Sequence, residues 1–333
     1  MLQSLLFLLV ALTPGLIFSG ALIYFDCYKL VKVSQLIWCL LLGTLVTFLA
    51  YYSNGMMLDV LDIDFVEYTH YVSPPIEESL KIIALILLYI RVSPAFTIQT
   101  VILGFTLGLG FGLAENVVYL FQSESTTLHI QLIRGFGTAF LHGGTVALFA
   151  LFLENPLNKK MKFFNKALIV LMAFLLICVL HAIFNFFLLT PILQTIIVFT
   201  LLPCFFYITF KHSQRNIKDW INAGINSNIQ MLDMLSQIST EHNNLSTFFS
   251  NISHSFSKEI ELAIHSYMRI FLELSIRTKS ILMMREYGFD APLDDKFHEK
   301  ISELKLLEGA IGKAGLLLIT PILDIKRADV WKL

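Results

Sequence analysis

The sequence predicts an all-α membrane protein. We expect a polytopic bundle of about seven spanning helices in residues 1–210, followed by a cytoplasmic helical domain in residues 211–333. Of the 333 residues, 56% are hydrophobic and only 15% are charged, well below the share of about 25% that soluble domains carry. The mean hydropathy is +0.71, and the long apolar stretches all lie before residue 210.

The individual spans follow from length, because a transmembrane helix needs roughly 20 mostly apolar residues. Seven stretches meet or approach this length, and the third is the shortest. They are residues 2–25, 33–53, 73–90, 97–121, 129–153, 164–189 and 191–210.

The loops between these spans alternate in charge. The loops after the first, third, fifth and seventh spans are basic, whereas the others are acidic or neutral; the charges that decide this are Lys29, Lys32, Arg91, Lys159, Lys160, Lys162, Lys166, Lys211, Arg215 and Lys218 against Asp59, Asp62, Asp64, Glu67 and Glu124. Because cytoplasmic loops are enriched in lysine and arginine, this pattern predicts an outside N-terminus and a cytoplasmic C-terminus.

The residues after Lys211 have a different character. Apolar residues recur at helical spacing between Leu245 and Leu274, which predicts amphipathic helices. No catalytic motif is present there. We expect these helices to form the cytoplasmic domain and to offer a surface for homo-oligomers.

Polar groups inside the apolar spans point to function, since ionisable residues in a membrane are costly and usually functional. They are concentrated in four consecutive spans, whereas the first, second and seventh spans have almost none. The set is Glu77, Glu78 and Lys81, then Glu115 and Asn116, then Arg134 and His142, and finally His181 and Asn185. With the predicted orientation, most of them lie in the outer half of the membrane.

The carboxylates, imidazoles and amides of this set suggest hydrolysis. A glutamate in a partly apolar pocket can take a proton from water, while histidine and asparagine can stabilise an oxyanion. The same residue types can instead hold Zn²⁺ and leave a position for water. The residues alone leave both mechanisms open, although the absence of HExxH argues against a zincin.

Four short motifs in residues 70–190 resemble the PrsW family of intramembrane proteases, which is related to the prenyl-protease and bacteriocin-processing superfamily. The motifs are EExxK at Glu77, Glu78 and Lys81, FxxxEN at Phe111, Glu115 and Asn116, the single His142, and HxxxN at His181 and Asn185. The chain differs from the wider superfamily in having Lys81 in the first motif and Glu115 where an imidazole stands.

The resemblance implies a role for each motif residue. Glu77 would activate water, and Glu78 would support it with Lys81 as counter-charge. His181 and Asn185 would bind the oxyanion.

The resemblance also implies a second set of roles, in which Glu115 and His142 complete the pocket or bind a metal together with His181. Phe111 and Asn116 would be supporting residues. Independently of the resemblance, Arg134 lies near the outer end of its span, so we expect an anchor at the membrane interface, with a role in the site as the alternative. Zn²⁺ is the cofactor that the family label suggests.

By the same resemblance, we expect an integral protein of a bacterial cytoplasmic membrane that cuts membrane-anchored substrates, such as anti-sigma factors, near the outer face. Two other classes stay open. An ion- or proton-coupled transporter would also place carboxylates in the membrane, and a receptor or scaffold would need no catalysis. The net charge of −1 argues against nucleic acid as a partner.

Overall fold

We analysed a computed structural model that describes residues 2–122, 127–158, 162–237, 248–250, 256–289 and 291–323. Glu124, Lys159, Lys160 and Leu245, which entered the sequence-based predictions, lie outside these residues. Every regular element among the described residues is a helix, as the sequence predicts. The chain forms two compact units, one of residues 1–26 and 30–213 and the other of residues 27–29 and 214–333.

Within the ranges that the structure describes, the first unit contains eight helices and the start of a ninth. In chain order these are α1 (Leu2–Phe25), α2 (Val33–Leu61), α3 (Phe65–Tyr71), α4 (Ser73–Val92), α5 (Thr97–Gln122), α6 (Leu128–Ile133), α7 (Ala139–Asn158), α8 (Phe163–Asn185) and α9 (Pro191–Ser236). A π-helical segment, Arg134–Thr138, joins α6 to α7.

Seven helices among the described residues are long and apolar enough to cross a membrane. Six of them coincide with predicted spans. The third predicted span corresponds to α4. This helix is not among the seven because it contains four charged residues, Glu77, Glu78, Lys81 and Arg91. The seventh of these apolar helices is Asp295–Leu323, which lies within the residues that we expected to be cytoplasmic.

Helix α5 is the centre of the first unit and packs between α2 and α7. Its glycines allow these close approaches. A Cβ atom on Gly104 would lie 2.9 Å from the Ala150 Cβ, and one on Gly108 would collide with the backbone oxygen of His142. Small residues at these positions therefore permit the close helix packing of this span.

Local sequence also explains the short helix α3 and the start of α4. The Asp64 side chain accepts a hydrogen bond from the Val66 backbone nitrogen at 2.9 Å, which caps α3. Pro74 and Pro75 follow immediately in the first turn of α4, where a missing N–H group costs nothing. This start places Glu77 and Glu78 one turn inside α4.

The second unit is built from the end of α9 together with α10 (Lys258–Glu286) and α11 (Asp295–Leu323). Its core is apolar and includes the fully buried Ile264, Met268 and Phe297. Helix α11 contains a break at Gly312, where φ is 70°. The helical character predicted for this region is confirmed, whereas its cytoplasmic location stays a prediction.

Candidate active site

The ionisable residues predicted from the sequence meet inside the first unit. They come from α4, α5, α7 and α8, and Arg134 of the π-helical segment joins them. We call this set the polar network: Arg134, Glu115, His142, Lys81, Glu78, His181 and Glu77, in the order in which neighbours contact each other.

Glu78 and Lys81 form a salt bridge that is completely buried. The Lys81 Nζ atom lies 2.7 Å from Glu78 Oε1, and both side chains have 0% exposure. The same oxygen lies 2.8 Å from His181 Nδ1 and 3.4 Å from the Thr145 hydroxyl. Because buried charges are tolerated when they are paired and hydrogen-bonded, this arrangement fixes Glu78 rather than leaving it free to react.

His142 is held at both ring nitrogens. Lys81 Nζ lies 2.8 Å from Nδ1, and Glu115 Oε2 lies 2.7 Å from Nε2. An ammonium group can only donate, so Nδ1 accepts and Nε2 carries the proton that is donated to Glu115. The Phe111 ring completes the surroundings of Lys81, with its centroid 4.3 Å from Nζ.

Arg134 pairs with Glu115, which the sequence analysis did not foresee. Its Nη2 atom lies 2.7 Å from Glu115 Oε1, and its guanidinium lies over the Tyr119 ring at 4.1 Å. The structure supports the alternative, a role in the site, because the Arg134 side chain is only 15% exposed and belongs to the network. An arginine in an apolar span was itself the available signal.

Glu77 has one engaged oxygen and, unlike the fully buried Glu78, is partly exposed. Oε1 accepts hydrogen bonds from the Ser73 hydroxyl at 2.6 Å and from Asn54 Nδ2 at 3.2 Å. Oε2 has no hydrogen-bond partner among the described residues. It lies 3.9 Å from Nε2 of His181, and the Glu77 side chain retains 14% exposure. Oε2 of Glu78 also has no hydrogen-bond partner among the described residues.

The two asparagines of the motifs contact backbone rather than the network. Asn185 Nδ2 donates to the Thr69 carbonyl at 3.0 Å, so it ties α8 to α3. Asn116 Nδ2 donates to the carbonyls of Ala11 and Arg134 at 3.3 and 3.1 Å. In this arrangement both amides hold helices together, and the oxyanion role expected for Asn185 finds no geometric support.

One group of side chains has the spacing of a metal site. Ligand atoms of Glu77, His142 and His181 lie within 4.8 Å of one another. This set has Glu77 in place of the predicted Glu115, whose oxygens face Arg134 and His142. Glu77 Oε2 and His181 Nε2 fit a metal ion, but His142 does not while Lys81 and Glu115 hold its nitrogens.

The sequence is similar to a known family over more than half of the chain. Residues 32–209 match the family model described as PrsW family intramembrane metalloprotease. No curated protein and no solved structure matches the chain at a significant level. The matched segment contains every residue of the polar network.

Proposed function

Because the chain belongs to the PrsW family of intramembrane metalloproteases, we propose that it hydrolyses peptide bonds of membrane-anchored proteins with a water molecule activated by Glu77. The observation that carries this assignment is the unpartnered oxygen of Glu77, which faces His181 Nε2 at 3.9 Å. It is the network carboxylate that combines partial exposure with an open oxygen beside an imidazole.

The geometry supports Glu77 and His181 as the two hydrogen-bond acceptors for this water. In its neutral form His181 donates from Nδ1 to Glu78, and its Nε2 atom then carries a lone pair. One water oxygen can lie at hydrogen-bond distance from both Glu77 Oε2 and His181 Nε2. With both hydrogens held by acceptors, the water directs its own lone pairs away from the protein and toward a substrate carbonyl carbon.

The chemical step then follows general acid–base catalysis. Glu77 takes a proton from the water as its oxygen bonds to the carbonyl carbon, and the C=O π electrons move onto the carbonyl oxygen. The protonated Glu77 then gives the proton to the amide nitrogen. The oxyanion re-forms the C=O bond as the C–N bond breaks with its electron pair on nitrogen, and an acid and an amine leave. Glu78 is unsuited to this step because it is completely buried.

A bound zinc ion is the second candidate, and the spacing of Glu77, His142 and His181 favours it. Zinc would supply a Lewis acid that acidifies bound water. It would require Lys81 to leave His142. We therefore assign no step to a metal.

The alternating loop charges support the proposed orientation, with the N-terminus outside and the active site in the outer half of the membrane. The proposed substrates are membrane-anchored proteins cut near this face. We also propose that the second unit mediates contacts with other proteins or copies of the chain, because it contains long helices and no motif residue.

The test uses the full chain in proteoliposomes with a panel of single-span peptides, each labelled at both ends. The wild type should cut at least one peptide, and Glu77→Gln should lower kcat by about 10²–10⁴-fold, the usual contribution of a general base. Glu67→Gln, an exposed position on α3, is the matched control. A Glu77→Gln variant that cuts at the wild-type rate would overturn the mechanism.

A further inference from the structure

Two residues outside the family motifs approach Glu77 from α2 and α3. Tyr68 of α3 is 2% exposed, and its hydroxyl donates to Asn54 Oδ1 at 2.9 Å. Burial and then the charge of Glu77 raise the pKa of Tyr68, which keeps the hydroxyl protonated and able to donate. The tyrosine thereby fixes which side of the Asn54 amide faces Glu77.

Asn54 passes this orientation on to the carboxylate. Its Nδ2 atom donates to Glu77 Oε1 and to the Ser73 hydroxyl, each at 3.2 Å. Ser73 in turn donates to the same Glu77 oxygen at 2.6 Å. Two donors therefore converge on Oε1, and the carboxylate plane is set with Oε2 directed toward His181.

We infer that Tyr68 and Asn54 are positioning residues that select the reacting oxygen of Glu77, an inference that rests on the proposed function. Hydrogen bonds to a charged acceptor are stronger than those between neutral groups. The two donors hold Oε1 as the fixed oxygen and leave Oε2 as the oxygen that receives the proton. Tyr68 acts through Asn54, not by touching Glu77.

The same short helix also holds the other side of the site. The carbonyl of Thr69, next to Tyr68, accepts from Asn185 at the end of α8. The His70 ring stacks on Phe186 with centroids 4.4 Å apart. Three successive residues of α3 therefore act on both sides of the site. Tyr68 reaches Glu77 through Asn54, while Thr69 and His70 contact the end of the helix that carries His181. We infer that α3 sets the distance between Glu77 Oε2 and His181 Nε2.

The experiment measures kcat and KM separately for Tyr68→Phe, Asn54→Ala and the double variant on a peptide that the wild type cuts. We expect kcat to fall about 5–10-fold for Tyr68→Phe and about 10–100-fold for Asn54→Ala, with KM unchanged, because the lost bonds orient the base. The double variant should be no slower than Asn54→Ala, since the tyrosine works through the amide.

Matched controls separate this effect from general damage. Tyr52→Phe removes a hydroxyl from an exposed position on α2, and Asn222→Ala removes an exposed amide from α9. Neither should change kcat. If Asn54→Ala does not fold, Tyr68→Phe decides the question, because it retains the buried ring.

A second readout does not depend on proteolysis. Labelling of Glu77 by dicyclohexylcarbodiimide, measured by mass spectrometry, should increase several-fold in Asn54→Ala, because the carboxylate loses a shielding donor. Labelling of Glu115 should stay constant as an internal reference. If the wild type cuts no peptide, the proposed function fails while this labelling still tests the positioning. Unchanged Glu77 labelling, or additive losses of kcat in the double variant, would overturn the inference.

Discussion

The Nζ atom of Lys81 lies 2.8 Å from Nδ1 of His142 and joins the two halves of the polar network. On one side, His142 leads to Glu115 and Arg134. On the other side, Lys81 pairs with Glu78, which accepts from His181. The His142 and His181 rings, with centroids 4.9 Å apart, form a second link between the two sides.

The first prediction concerns the stability that Lys81 provides. Lys81→Met leaves Glu78 as a buried carboxylate without its counter-charge, and breaking a buried pair in this way costs about 3–5 kcal/mol. We expect the free energy of unfolding in detergent to fall by that amount. Glu78→Gln combined with Lys81→Met should recover part of the loss, because no uncompensated charge remains.

Lys162→Met is the control for this measurement, since Lys162 is exposed before α8. It should leave the unfolding free energy within ~0.5 kcal/mol of wild type. A Lys81→Met protein as stable as the control would show that the ion pair contributes nothing.

The second prediction concerns metal dependence. Because Lys81 and Glu115 hold both nitrogens of His142, the wild type should cut peptides in the presence of a strong zinc chelator with unchanged kcat. Elemental analysis of the purified protein should find far less than one zinc per chain. Loss of cleavage with chelator, together with recovery on adding zinc, would instead favour the metal site formed by Glu77, His142 and His181.

The third prediction is that Arg134 and Glu115 act as a unit. Their salt bridge is 2.7 Å long, so Arg134→Gln and Glu115→Gln should each lower kcat, and the double variant should lose less than the sum. A double-mutant cycle on kcat/KM should give a coupling of about 0.5–3 kcal/mol. Strict additivity would mean that the two residues contribute independently.

The fourth prediction concerns the packing that places His142. A methyl group on Gly108 would collide with the His142 backbone oxygen, so Gly108→Ala should lower the unfolding free energy by about 1–3 kcal/mol. Gly20→Ala is the matched control, because nothing lies within 4 Å of its added Cβ. The control should be neutral or slightly stabilising, since alanine favours helices.

The apolar spans and the meeting of their ionisable residues were predictable from sequence. The length of an apolar stretch defines a span reliably. Polar side chains on four successive spans avoid the lipid and therefore face the interior of the bundle. Helix α4 was predicted as a span although it contains several charged residues, and the structure shows that Lys81 of this helix is turned inward to His142.

The partners within the site were not predictable. Whether Lys81 pairs with Glu77 or Glu78 depends on a rotation within α4 that spacing does not resolve, since both are neighbours at three or four residues. Asn54 and Tyr68 belong to segments without any motif. The contact of Asn54 with Glu77 and that of Tyr68 with Asn54 arise from tertiary packing. Asn185 has the spacing of a site residue, yet its amide reaches backbone.

The π-helical segment Arg134–Thr138 contains the one-residue excess that such segments introduce into an α-helix. Each residue of an α-helix advances the chain by roughly 100° of rotation. Deleting one residue from this segment would therefore turn α6 and Arg134 by that angle relative to His142, and Arg134 would point away from Glu115. The alignment of the network thus depends on the number of residues in the helix as well as on their identities.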